Sequence, residues 1–165
     1  VPEQIDLIKE SWAKVVPIKE TAADLFYGRL FELDPTIRPL FKKDLTEQKR
    51  KLVAMLNRIV ALLGDFGALL PVAEDLGRRH VPYGVKAAHY ETLGAALLWT
   101  LRTGLGSAFT LEVEAAWTTA YRTLAGAMKE AVEERTFLER GAQNRTGFKC
   151  GRPFVGRGSQ EQSQV

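Results

Sequence analysis

Apolar residues recur along most of the chain at steps of three and four, which is the spacing of one face of an α-helix. In the first half, Trp12 and Leu30 each belong to such a stripe, and Gly64 follows the longest one as a stop signal. The pattern predicts helices over residues 3–16, 18–33 and 45–63. Between Pro35 and Phe41 the prolines leave room only for a short turn of helix.

The second half of the chain continues the same pattern. A shorter helix, opened by Pro71, places His80 on the same face as Leu76, and a further helix is predicted over residues 87–103. Thr110 is a residue type that caps helix N-termini, and the last predicted helix follows it. No stretch alternates apolar and polar residues for long, so the pattern predicts an all-α fold.

The charge of the chain is divided unevenly. Residues 1–134 hold 17 basic and 18 acidic side chains, whereas residues 135–165 hold six basic and two acidic ones. The end of the chain is also rich in glycine, glutamine and serine, and it has no helical periodicity. We therefore expect one domain over residues 1–138 and a flexible tail over 139–165, disordered from about Gly141. The tail is either simply solvated or makes a weak contact with an anionic partner or a membrane surface.

Cysteine content and hydropathy limit the class of protein. The single cysteine, Cys150, excludes an internal disulfide framework and a metal site built from several cysteines. The longest apolar stretch, Leu93 to Leu101, is far shorter than the roughly 20 residues that span a bilayer. No signal segment is recognisable. These features predict a cytoplasmic protein without a transmembrane segment and without a specific nucleic-acid partner.

Three polar residues lie on apolar helix faces and are the candidates for chemistry. His80 points toward the core and is either a hydrogen-bonded packing residue or the single protein ligand that a haem iron requires. Gln48 lies one turn before Leu52 and is either partly exposed or a buried polar group that needs a partner. Tyr27 is either an ordinary core residue or a buried tyrosine whose hydroxyl forms a functional hydrogen bond. His89 lies at the start of its helix and is less clearly directed toward the interior.

Considered together, these residues occur within a series of motifs that resembles the globin family. The resemblance covers roughly residues 3–133 and is closest to bacterial single-domain globins and flavohaemoglobin haem domains, and looser to neuroglobin. It implies a globin fold, a 3-on-3 helical sandwich around a haem pocket. The motifs that carry it are Leu25-Phe26-Tyr27, Leu30-Phe31, Asp34-Pro35-Thr36-Ile37-Arg38-Pro39-Leu40-Phe41, Leu76-Gly77-Arg78-Arg79-His80, Gly84-Val85, His89-Tyr90, Leu97-Leu98, Ala115-Ala116-Trp117 and Tyr121.

The resemblance also assigns site residues. It implies haem b held without covalent bonds, with His80 as the iron ligand and Phe41 stacked on the porphyrin. Tyr27 and Gln48 would donate hydrogen bonds to the bound gas, and Leu52 would be the apolar residue above the iron. The remaining cofactor contacts implied by the resemblance, the first two as partners of the propionates, are Lys51, Arg79, Leu76, Val85 and Tyr90.

One position departs from the family pattern. In flavohaemoglobin haem domains a tyrosine and a glutamate brace the iron-binding histidine, and Tyr90 matches the tyrosine. An ungapped alignment places Val132 where the glutamate belongs, with Glu130 and Glu133 nearby. The departure predicts a less anionic His80, which argues against peroxidase-like chemistry and strong dioxygenase chemistry.

The resemblance leaves three functions open. The first is reversible binding of O₂, and also of CO and NO, at a five-coordinate ferrous haem, since glutamine is a poor iron ligand. The second is nitric oxide dioxygenation, which detoxifies NO to nitrate and needs a separate reductase. The third is a haem-based gas sensor. The sequence leaves the oligomeric state open.

Overall fold

The computed structural model describes residues 2–80 and 86–146, and the side chains of residues 3–80 and 86–133. This part of the chain contains helices and no strand, which confirms the all-α prediction. The α-helices are α1 (Pro2–Val15), α2 (Lys19–Leu33), α3 (Thr46–Leu62), α4 (Phe66–His80), α5 (Ala87–Leu105) and α6 (Leu111–Thr146). Short 3₁₀ helices cover Val16–Ile18, Pro35–Leu40 and Gly106–Ala108.

Most helix boundaries lie where the apolar periodicity places them. The ends of α1, α2, α3 and α5 differ from the predicted ones by no more than two residues. The predicted cap at Thr110 is confirmed, because α6 begins at the next residue and the backbone N–H of Val113 donates to the Thr110 hydroxyl over 3.3 Å.

The start of α4 differs from the prediction. Pro71 does not open this helix but lies inside it, since α4 begins at Phe66. Asp65 provides the cap: its carboxylate accepts from the backbone N–H of Ala68 over 3.1 Å, which satisfies a donor of the first turn. Within α4, Pro71 has no backbone N–H to donate to the carbonyl of Gly67.

The last helix is longer than expected. α6 runs to Thr146 and passes both the expected domain end at Leu138 and the expected onset of disorder near Gly141. Seven of the ten residues from Glu134 to Gln143 are glutamate, arginine, leucine, alanine or glutamine, which are strong helix formers, and this preference outweighs the single glycine. Cys150 and the rest of the tail beyond Thr146 lie outside the described residues.

The interior forms two groups of buried side chains. The main core joins α1, α2, α5 and α6 and contains Trp12, Phe26, Leu30, Leu101 and Trp117, among others. The second cluster lies where α4 packs on α6, and its buried members are Ala73, Tyr90, Ala125 and Met128. Among the described helices, none has the combined length and apolar character that crossing a membrane requires.

Candidate functional site

Tyr27 and Gln48 form a polar pair at the edge of the main core. Tyr27 lies on α2 and is 3% exposed, and Gln48 lies in the first turn of α3 and is half-buried. The two side chains are hydrogen-bonded to each other. Burial raises the pKa of Tyr27 to about 12, and the hydrogen bond with Gln48 lowers it by a smaller amount. Tyr27 is therefore a neutral phenol, able to donate a hydrogen bond, across the physiological pH range.

Three aromatic rings, those of Phe26, Phe31 and Phe41, surround the tyrosine. The centroid of Phe41 lies 5.7 Å from that of Tyr27 at an interplanar angle of 74°, and 5.7 Å from that of Phe31 at 62°. Tyr27 and Phe31 are 6.0 Å apart. The two pairs that include Phe41 are edge-to-face, which is a favoured arrangement for aromatic rings. The contacts hold Phe41, which follows the 3₁₀ helix, against the ring of Tyr27.

Arg38 holds the loop that carries Phe41. Its guanidinium donates to the carbonyl oxygens of Phe41 (3.3 Å), Lys42 (3.0 Å) and Lys43 (3.0 Å). The same group lies 5.2 Å from the ring centroid of Phe31. Sequence reasoning gave neither Arg38 nor Phe31 a role in the site. The available signal was that Arg38 precedes Phe41 by three residues at the end of a helical turn, where free carbonyls need donors.

Leu52 lies one helical turn after Gln48 on α3. It is half-buried and packs against the main core, the same group that contains Tyr27. The structure thus brings together three of the predicted residues, Tyr27, Phe41 and Gln48, and Leu52 packs against the same core. They combine two hydrogen-bond donors with an apolar surrounding, which suits a small, weakly polar ligand.

His80 is the last residue of α4 and is half-buried. Its Nδ1 lies 2.5 Å from the carbonyl oxygen of Leu76, one turn earlier. A carbonyl can only accept, so Nδ1 carries the proton and Nε2 is the nitrogen with a lone pair. This is the arrangement that orients a histidine to bind a metal through Nε2.

A glycine allows α4 to approach α6 closely just before His80. A Cβ atom added to Gly77 would lie 2.4 Å from the carbonyl oxygen of Met128 and 2.8 Å from its Cα. Both are backbone atoms, which cannot move aside without shifting α6. Any side chain at this position would therefore push away the turn of α4 that carries His80.

Tyr90 is 5% exposed and belongs to the second cluster, with Leu76 packed against the same group. Its carbonyl accepts a hydrogen bond from the Tyr121 hydroxyl, and Lys129 Nζ lies 5.6 Å from its ring centroid. Burial raises the pKa of the Tyr90 hydroxyl. The predicted residues thus divide between the main core and the second cluster, where Leu76 and Tyr90 lie and where the carbonyl of Leu76 holds His80.

The two basic residues expected to meet propionates have carboxylate partners. Lys51 Nζ lies 3.4 Å from Glu47, and Arg79 Nε lies 2.9 Å from Asp75. Both pairs span one helical turn and are exposed, so each contributes little and can be exchanged for another anion. Val85, the remaining predicted contact, lies outside the described residues.

The carboxylates considered as a brace for His80 do not enter the interior. Glu130 and Glu133 are exposed on α6, and Val132 is half-buried between them. His80 has the neutral carbonyl of Leu76 as its acceptor at Nδ1. This arrangement matches the departure noted in the sequence.

Comparison with known proteins gives one family. A family model described as Globin matches residues 24–128. The flavohemoprotein of Bacillus subtilis is 29% identical over 92% of this chain, and that of Vibrio cholerae is 34% identical over 98% of it. The chain spans 38% and 41% of the lengths of these two relatives. The neuroglobin of Danio rerio is 29% identical over 74% of this chain and 86% of its own length.

Proposed function

The chain belongs to the globin family, and we propose that it holds haem b without covalent attachment and binds O₂, CO and NO reversibly. The observation that carries this proposal is the hydrogen-bonded pair of Tyr27 and Gln48. These residues come from different helices and are 21 positions apart in the sequence, yet they meet beside Phe41. Two donors within an apolar pocket are what a small gas ligand with partial negative charge requires.

The residues present fit a haem group. His80 has Nδ1 engaged by a carbonyl and Nε2 available as an imidazole ligand, and a haem iron needs one such protein ligand. Phe41 provides an aromatic face, while Leu52, Leu76, Val85 and Tyr90 would provide further contacts. When bound, the haem supplies the iron at which a diatomic gas is held.

The propionates of haem need cations or water at the pocket mouth. Lys51 and Arg79 are the side chains proposed for this role. Each would exchange an exposed ion pair with Glu47 or Asp75 for one with a propionate, at a small cost because exposed pairs contribute only about 0–1 kcal/mol.

Tyr27 and Gln48 determine how long a gas ligand stays bound. The Tyr27 hydroxyl and the Gln48 amide each donate a hydrogen bond worth about 1 kcal/mol to a ligand that carries negative charge. Carbon monoxide is less polar when bound, so it gains less from both donors. Leu52 and Phe41 exclude water, which strengthens these hydrogen bonds.

The sixth coordination position is proposed to be open in the ferrous protein. A carboxamide such as that of Gln48 is a poor ligand for ferrous iron, and the Gln48 side chain is already hydrogen-bonded to Tyr27. The visible spectrum of the reduced, ligand-free protein tests this. A single broad band is expected, and a sharp pair of low-spin bands would contradict the proposal.

The histidine assignment has a matched control in the chain. His80→Ala is expected to abolish stable haem retention after reconstitution, and added imidazole is expected to restore part of it. His89→Ala is the control, because the Nδ1 of His89 accepts from the backbone N–H of Lys86 over 2.9 Å at the start of α5. Equal haem retention in both variants would refute His80 as the ligand.

A second candidate function is nitric oxide dioxygenation. It is favoured by the flavohemoprotein matches, which extend over 92% and 98% of this chain, farther than the neuroglobin match. The reaction joins NO and O₂ to form nitrate and takes up one electron per turnover, which a separate reductase would supply. Continued nitrate formation with NO and a reductant identifies it, whereas one equivalent of nitrate followed by oxidised haem excludes it.

A further inference from the structure

Residues 1–134, which we name the globin body, have a net charge of only −1, but their basic and acidic side chains are unevenly distributed. Residues 38–58, which we name the basic segment, contain seven basic and two acidic side chains. The rest of residues 1–134 contain ten basic and sixteen acidic ones. The basic segment therefore has a net charge of +5 and the remaining body −6. The basic segment is also the part of the chain that carries Phe41 and Gln48.

The acidic residues of the basic segment are engaged within it. Asp44 accepts from the backbone N–H of Thr46 over 3.0 Å and from its hydroxyl over 2.7 Å, and these hydrogen bonds lower its pKa. Glu47 pairs with Lys51, and Lys49 pairs with Asp24 of α2 at 2.6 Å. Neither carboxylate neutralises the other exposed cations.

Besides Arg38, which is half-buried, four cations of the basic segment have no carboxylate within 4 Å, as far as the described residues extend. They are all exposed: Lys42, Lys43, Arg50 and Arg58. Lys42 and Lys43 directly follow Phe41, and Arg38 binds the carbonyls of both lysines. The backbone below these two charges is thus held in place, which lowers the entropy lost when a partner engages them.

We propose that the basic segment is the docking surface for an acidic electron-donor protein that reduces the haem iron. This inference rests on the proposed function, since a gas-binding haem must be kept ferrous. One electron passes from the donor's reduced cofactor to the ferric iron, so the donor is oxidised by one electron and no covalent bond forms or breaks. Complexes of redox proteins have small interfaces and are held weakly, so charge complementarity provides recognition.

The net negative charge of the rest of the globin body helps to orient an acidic partner. An acidic partner is attracted to the basic segment and repelled by the other faces, so it approaches with the pocket residues Phe41 and Gln48 nearest to it. Such steering raises association rates by about 10- to 1,000-fold at low ionic strength. It disappears when the Debye length shrinks from about 30 Å at 0.01 M salt to about 3 Å at 1 M.

Reduced flavodoxin, a small acidic flavoprotein, is the probe, and the haem-loaded protein is the acceptor. Lys42→Glu/Lys43→Glu is expected to lower the second-order reduction rate at low salt by about tenfold or more. The affinity for oxidised flavodoxin, measured by calorimetry without electron transfer, is expected to fall in parallel. Lys42→Gln/Lys43→Gln is expected to give an intermediate loss, and high salt to abolish the difference from wild type.

The matched control is Lys9→Glu/Lys14→Glu, two exposed lysines on α1. It makes the same change in total charge outside the basic segment, and its reduction rate is expected to stay within about twofold of wild type, since little steering acts there. An equal loss in both double variants, or a salt-independent rate, would overturn the proposal. So would binding of phosphatidylglycerol vesicles through Lys42 and Lys43 without any binding of flavodoxin.

The two proposals fail in different ways. A protein that retains no haem or binds no O₂ refutes the proposed function. If the protein binds O₂ normally but substitution of Lys42 and Lys43 changes neither its reduction rate nor its affinity for flavodoxin, only the docking surface is refuted. Haem content and O₂ binding are therefore measured for every variant in the series.

Discussion

The hydroxyl of Tyr27 on α2 and the side-chain amide of Gln48 on α3 are hydrogen-bonded to each other at the edge of the main core. A buried polar group without a partner costs free energy, and each residue satisfies the other here. The pair is therefore held in place before any ligand arrives. A gas ligand bound beside the pair would meet two donors that are already close together.

Removing the Tyr27 hydroxyl is expected to shorten the residence of O₂. Tyr27→Phe deletes one oxygen atom and keeps the ring against Phe41, so a loss of about 1–1.5 kcal/mol is expected, which is roughly a tenfold faster O₂ dissociation. Stopped-flow displacement of O₂ by CO measures the rate. The CO dissociation rate should change much less, because bound CO is a weaker acceptor.

The Gln48→Leu variant shows whether the two donors act together. If the pair is one network, the double variant will lose less than the sum of the two single losses. Phe31→Leu is the control, because it alters the aromatic packing around Tyr27 without removing a donor. An O₂ dissociation rate that does not change in Tyr27→Phe would remove this residue from its proposed role.

The ionisation of Tyr27 is expected to make stability depend on pH in the alkaline range. Its pKa of about 12 in the folded protein lies above the value of about 10 expected in the unfolded chain. The unfolded chain therefore loses this proton first, so the stabilisation is complete below pH 10 and is lost as the pH rises toward 12. The total is on the order of 2 kcal/mol.

Urea unfolding at several pH values above 9 measures this slope. Tyr27→Phe should flatten it, while the control Phe31→Leu should lower the stability at every pH and leave the slope unchanged. Tyr121 adds a slope of its own, since burial raises its pKa as well. Parallel curves for wild type and Tyr27→Phe would show that the Tyr27 hydroxyl ionises at its ordinary pKa.

The helices were predictable from the sequence because their apolar stripes have to face a core. The boundary of α4 was not, since Pro71 is a strong local signal and the competing cap at Asp65 stands six residues before it. Periodicity also could not predict that Tyr27 contacts Gln48. That pairing depends on how α2 crosses α3, and only the resemblance to a family suggested it.

The close approach at Gly77 was equally hidden, because a glycine in a helix gives no sign of what lies against it. Gly77→Ala is expected to destabilise the fold by about 1–3 kcal/mol, since the new methyl group would overlap the backbone of Met128. Haem should also be lost faster, as His80 lies one turn away. Urea unfolding and the rate of haem transfer to an acceptor globin measure the two effects.

Gly126 provides the control for this substitution. It lies on α6, and a Cβ added there meets nothing within 4 Å. Gly126→Ala is therefore expected to be neutral or to stabilise the protein by up to about 1 kcal/mol, because alanine is the better helix former. Equal destabilisation by both substitutions would mean that α4 and α6 can separate at Gly77 without cost.

Arg38 is expected to be needed for its shape as well as for its charge. Its planar group reaches three carbonyls at once, and a lysine ammonium has one nitrogen and cannot reproduce that fork. Arg38→Lys should therefore cost nearly as much as Arg38→Ala, about 1–3 kcal/mol in unfolding and a faster haem loss through a mobile Phe41. Arg122→Ala, an exposed position on α6, is the control. If Arg38→Lys matches wild type in both measurements, charge alone holds the loop.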